Sequence, residues 1–201
     1  MRVIVTIVAV FVVLAAILLA VLYTGAYNVA ADAPHTHLVR WALSTTMDNS
    51  VERQAAGIQA PDLSDPAMLA RGAAHYKENC EICHVGPGVE ESEIHKGLNP
   101  HAPELVRSVG DLSAAEVFWI TKHGVKMTGM PTFGRTHTDQ EIWDIVAFVK
   151  ALPKMSPARY AELTAGAEEH HHEGTDEDMG SDGDESHEMD HGTGGTEAGG
   201  H

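Results

Sequence analysis

Cysteine is almost absent from this chain. Only two occur in 201 residues, Cys80 and Cys83, which excludes a disulfide-built scaffold. Aromatic residues make up only 5% of the chain, and no segment alternates apolar and polar residues as a strand would. Basic residues are missing from residues 168–201, where twelve acids stand without a single Lys or Arg. That segment carries most of the formal net charge of −16. With so little positive charge and no basic stripe, nucleic acid is not a partner to expect, because phosphate binding needs clustered Lys and Arg.

The chain does contain one long apolar run. Residues 3–22 read VIVTIVAVFVVLAAILLAVL, with Thr6 the only polar member. Twenty residues at about 1.5 Å each match the hydrocarbon core of a bilayer. A cleaved export signal usually has a shorter core, although Val29-Ala30-Ala31 offers a cleavage site. An uncleaved anchor is the preferred reading and a removed signal the alternative. Arg2 on the short side places the N-terminus in the cytoplasm, so the rest of the chain is expected in a bacterial periplasm, bound to the inner membrane by a single pass.

Four divisions follow: residues 1–24 as anchor or signal, 25–62 as a linker with a helix around 38–56, 63–160 as the folded domain, and 161–201 as a disordered acidic tail. The tail has too few apolar residues to bury a core. Its His170, His171, His172, His187, His191 and His201, with Met179 and Met189, are candidate ligands for Cu(II), Ni(II) or Zn(II). His35 and His37 form a weaker candidate pair. His75, His95, His101, His123 and His137 read as surface or packing residues.

The folded domain is expected to be all-α, with three main helices. The first starts at a Ser64 or Asp65 cap with Pro66 in its first turn. It places Leu69, Gly72, Ala73 and Tyr76 on one face and runs into Cys80. The second follows a capping box of Ser113 and Glu116 and stops at Gly124. The third follows a capping box of Thr138 and Glu141. It carries the stripe Ile142, Ile145, Val146, Val149 and Leu152, and ends at Pro153. The connections at 85–111 and 125–136 are rich in Gly and Pro. Three short helices bury little apolar surface by themselves, so a large apolar body is expected among them.

The two cysteines stand in Cys80-Glu81-Ile82-Cys83-His84. A dithiol switch would need a preceding strand, and a zinc site a second ligand pair at finger spacing; His95 and His101 are poorly spaced for one. C-x-x-C-H fits covalent haem attachment: two thiols reach the two vinyl groups on one porphyrin edge, and His84 falls beneath the iron. A thioether is the usual partner on the opposite side in electron-transfer haem proteins. Met130, between Gly129 and Pro131, is the preferred candidate, with Met127 the fallback.

CEICH, the TGMPTFG loop and the EIWDIVAFVKALP helix, in that order, resemble a class I mono-haem cytochrome c, in its small membrane-anchored bacterial form, over residues 63–152. The resemblance implies one covalent haem c held by Cys80 and Cys83, with His84 and Met130 on the iron, and single-electron transfer without catalytic residues. It implies that Gly72 and Tyr76 meet the last helix near Trp143 and Ala147, and that a proline carbonyl orients His84, with Pro87 as the candidate. Arg107, Trp119, Lys126 and Trp143 are candidates for the propionates or the pocket wall. A membrane redox complex, such as a terminal oxidase or a dehydrogenase, and a soluble carrier are the expected partners. A gas-binding or enzymatic haem protein and a metal-handling protein are the competing readings.

Overall fold

The computed structural model describes residues 1–169. No strand occurs among them, as the missing alternation implied. Helix α1 (Arg2–Thr24) is 23 residues long, about 34 Å, and fully exposed along its length. By length and composition it is the one described helix able to cross a membrane. Helix α2 (His37–Ala55) is capped by Thr36, whose hydroxyl accepts from the Val39 amide. Only its C-terminal end buries side chains, Val51 and Ala55, and α2 packs on the domain through α7.

The core is built on the crossing of α3 (Pro66–Asn79) and α8 (Asp139–Ala151). Asp65 caps α3 by accepting from the Ala67 amide, and Pro66 occupies its first turn. At the crossing the two backbones nearly touch. A Cβ on Gly72 would overlap the Asp144 carbonyl and lie 2.9 Å from the Phe148 Cβ. The contact therefore falls at Asp144 and Phe148, within the turn of α8 expected from Trp143 and Ala147. Tyr76 packs beside it, 5.2 Å from the Phe148 ring. An ion pair closes the crossing: Arg71 Nε and one terminal nitrogen donate to the two carboxylate oxygens of buried Asp144 at 2.6 and 3.0 Å. Gln140 adds a third donor, so this buried charge is fully paired.

Between them the chain forms α4 (Glu81–His84), α5 (Glu93–Gly97), α6 (Leu105–Ser108) and α7 (Ala114–His123). Both expected capping boxes are present, Ser113 with Glu116 on α7 and Thr138 with Glu141 on α8. The stripe Ile142, Ile145, Val146, Val149 and Leu152 is buried throughout. Phe118 of α7 stacks on Trp143 of α8 at 4.1 Å.

One element corrects the expected divisions. Residues 157–169 form a helix, α9 (Pro157–Glu169), across the boundary at 160 and 161 where a disordered tail was to begin. Its Tyr160 and Thr164 are buried, and it packs against α3. Its weak periodicity hid it: its inward face is Tyr160, Leu163 and Thr164, with a single fully buried aromatic and a threonine among them. The histidines expected to bind metal in the tail lie outside the described residues.

Candidate functional site

Helix α3 delivers Cys80 at its C-terminus, where the Cys80 amide still donates to the Tyr76 carbonyl. A single further turn, α4, follows. The Cys83 and His84 amides both donate to the Cys80 carbonyl, at 3.1 and 2.8 Å. This turn sets the two cysteines and the histidine in fixed register. Neither thiol is in a disulfide. Cys80 is buried and Cys83 half-buried, and burial pushes the Cys80 thiol up to about 12.

His84 is held by its other nitrogen. Its Nδ1 lies 2.9 Å from the Pro103 carbonyl. A carbonyl only accepts, so Nδ1 carries the proton and Nε2 keeps its lone pair free, the arrangement a metal-binding imidazole needs. Burial pushes the His84 pKa down; the Pro103 bond opposes this, and nearby His95 adds to it. The orienting proline is therefore Pro103 and not Pro87. Pro87 stands three residues beyond His84, in a turn closed by the Val89 amide on the Gly86 carbonyl. Both its neighbours face α9, Gly86 against Tyr160 and Gly88 against Pro157, which carries Pro87 away from the imidazole. The usable signal was Pro103 itself, at the far end of the long loop where the chain turns back to α6.

The second candidate ligand sits in the loop between α7 and α8. The Val125 amide donates to the Met130 carbonyl at 3.3 Å, and Thr128 Oγ accepts from the Met130 amide at 3.1 Å while donating to Val125. Gly124, at φ +66°, lets the loop close: a Cβ there would lie 2.7 Å from the Met130 carbonyl oxygen. Met130 is half-buried. Met127 is 96% exposed with φ +61°, so of the two candidates only Met130 has its side chain within the fold.

The remaining candidates separate. Trp143 is in the packed wall with Phe118. Trp119 lies beside His123 at 5.1 Å. Arg107 pairs with Glu104 at 3.0 Å on the surface, and Lys126 is exposed. His95 is buried, its Nδ1 2.6 Å from the Cys83 carbonyl, so it is a packing residue that steadies the attachment turn. A cavity of 550 Å³ opens beside Pro103, lined by His95, Lys96, His101, Glu104 and Arg107 among others. It reaches neither cysteine nor Met130. No group of three His, Cys, Asp or Glu side chains suited to a metal ion occurs among the described residues.

Two unbonded thiols at the attachment spacing, with an imidazole whose Nε2 is free, fit a covalent haem. They do not fit a dithiol fold or a zinc cage.

Comparisons with known proteins point the same way. Residues 67–149 match the family described as cytochrome c oxidase, cbb3-type, subunit III. The chain is 30% identical over 83 residues to cytochrome c6 of Synechococcus elongatus, covering 41% of this chain and 88% of that protein. It is equally similar to cytochrome c6 of Thermosynechococcus vestitus, covering 69% of it. No solved structure matches. The similarity covers the α3–α8 crossing, the attachment turn and the methionine loop together, and with the free thiols and the oriented His84 it identifies the chain as a member of the class I c-type cytochromes, electron carriers with covalently bound haem c.

Proposed function

We propose that this cytochrome carries single electrons in a bacterial periplasm, on an inner membrane crossed by α1, with His84 and Met130 as the two axial ligands. The haem, when bound, supplies a one-electron Fe(III)/Fe(II) couple. The chain's own part is to hold and tune. Cys80 and Cys83 provide the thioether sulfurs, His84 presents Nε2 because Pro103 occupies Nδ1, and the Gly124 turn carries the half-buried Met130. A soft thioether favours the reduced iron and so raises the potential. Electrons pass through the exposed edge of the group, and no side chain needs to exchange a proton with a substrate.

The observation that carries this reading is the His84–Pro103 bond: it fixes the ring and leaves one nitrogen for the iron. The redox partner is a membrane complex. The description of the matching family, subunit III of a cbb3-type oxidase, supports a terminal oxidase, with this chain either as its donor or as its electron-entry subunit. The tail histidines stay candidate ligands for Cu(II), Ni(II) or Zn(II); titrating the full chain beside one ending at Glu169 tests them.

A pyridine haemochrome spectrum of the purified protein should show two thioether links. Met130→Ala should remove the sulfur-to-iron absorption in the far red and lower the potential, whereas Met127→Ala should leave both unchanged. The reverse pattern overturns the ligand assignment. Rapid carbon monoxide binding by the untreated native protein would instead favour an open, gas-binding site.

A further inference from the structure

Two tyrosines hold the attachment turn from behind. Tyr76, on α3, donates from Oη to the Val85 carbonyl at 2.6 Å. Tyr160, on α9, donates from Oη to Glu81 Oε2 at 2.6 Å. Their rings meet edge to face at 6.2 Å. Glu81 lies between the two cysteines, and its other oxygen accepts from Lys77 at 2.6 Å. Just past His84 the chain takes an unusual path. Val85 has φ +56° and ψ +165°, a region strained for a non-glycine residue that persists only where the surroundings enforce it. Next to it Gly86 has no room for a side chain, since a Cβ would overlap the Tyr160 ring, 2.6 Å from its Oη. Gly88, at φ +79°, would meet Pro157 at 2.8 Å.

We propose that α9 is a clamp on the haem-attachment segment, with Tyr160 a positioning residue that sets the charge of the site through Glu81. The ring of Tyr160 fills the space behind Gly86 and keeps the exit from His84 in its strained path. Its hydroxyl neutralises part of the Glu81 carboxylate. Burial, then the bond to Glu81, raise the Tyr160 pKa, so the hydroxyl stays protonated and donates at every physiological pH. A carboxylate carried on the attachment turn itself, between the two cysteines, stabilises Fe(III), and the more so the less it is compensated. The clamp thus holds the potential up. Its basis is the attachment of haem at Cys80 and Cys83, not the identity of the sixth ligand.

The test is a double-mutant cycle read by redox titration of the full-length holoprotein, with the haemochrome spectrum first confirming haem in each variant. Tyr160→Phe keeps the ring against Gly86 and removes only Oη; its potential should shift down. Glu81→Gln should shift it up. Combined with Glu81→Gln, Tyr160→Phe should produce no further shift. Equal potentials for Tyr160→Phe and the native protein, or fully additive shifts, overturn the proposal. Glu81→Gln probes the same contact from the turn itself, so a native potential in that variant overturns it also, whether or not Tyr160→Phe accumulates. If Met130 proves not to be a ligand, the cycle still reads the coupling of Tyr160 and Glu81.

Discussion

The two sides of the haem site are held in different ways. The attachment side depends on distant parts of the chain. Glu81 is held by a residue 79 positions away, His84 by one 19 away and Cys83 by one 12 away. Helix α3, which delivers Cys80, is fixed to α8 by an ion pair 73 positions apart. The hydrogen bonds of the methionine loop are to its own neighbours, although Gly129 also packs against Leu98. Met130 bonds to Thr128 two positions back, Thr128 to Val125 three back, and Thr132 to Lys122 ten back. The first arrangement is expected to yield with the domain and the second to open locally. If Met130 is the sixth ligand proposed above, a carrier built this way would keep its cofactor while that ligand stays exchangeable.

The largest expected effect tests the attachment side. His84→Ala removes the nitrogen proposed for the iron and should abolish accumulation of the native holoprotein, read as haem per protein. Next comes the crossing. Gly72→Ala forces a methyl into the Asp144 carbonyl and should cost about 3 kcal/mol, as overpacking between rigid backbones does; denaturant unfolding measures it. If Gly72→Ala leaves the iron ligands unaltered in the fraction that stays folded, the attachment side does melt only with the whole domain.

The distal loop should respond more mildly. Thr128→Val removes both bonds that shape the turn at Met130. Two hydrogen bonds at about 1 kcal/mol each sum to about 2 kcal/mol, so binding of external imidazole should tighten roughly thirtyfold while the unfolding midpoint scarcely moves. Equal losses in global stability would erase the contrast between the two sides.

The smallest effect concerns pH. The Ser113 side chain and amide hold Glu116 below the usual carboxylate value, and the Thr138 amide and side chain do so for Glu141. Because the folded values are depressed, this stabilisation is complete above the ordinary value of 4.5 and is lost as pH falls through the folded ones. Ser113→Ala should cost about 1 kcal/mol at neutral pH and should flatten the acid limb of a pH–stability curve. Both carboxylates are near the surface, so salt should weaken the effect.

What the sequence shows plainly is local. The capping boxes of α7 and α8, the buried stripe from Ile142 to Leu152, the bare Gly72 and the C-x-x-C-H spacing each need a window of under twenty residues. What it hides is the path of the loops. Choosing Pro103 over Pro87 requires knowing that the chain turns at Gly86 toward α9 and returns seventeen residues later, at Pro103, to His84. The pairing of Arg71 with Asp144 places a carboxylate at a core position that a hydropathy pattern reads as an interruption. Helix α9 escapes because its inward face, Tyr160, Leu163 and Thr164, makes only a weak stripe, and its partner Glu81 lies in another part of the chain. Flanking Gly and Pro single out Met130 in the sequence, while its half-burial against the 96% exposure of Met127 is visible only in the fold.

The clamp by α9 has a consequence in time. During synthesis Glu81 emerges 79 residues before Tyr160, a delay of roughly 4–16 s at ordinary elongation rates of about 5–20 residues per second. Through that interval Cys80, Cys83 and His84 are exposed without their rear support, open to whatever machinery installs the haem. Helix α9, made later, then closes over a motif whose chemistry has had its chance to finish.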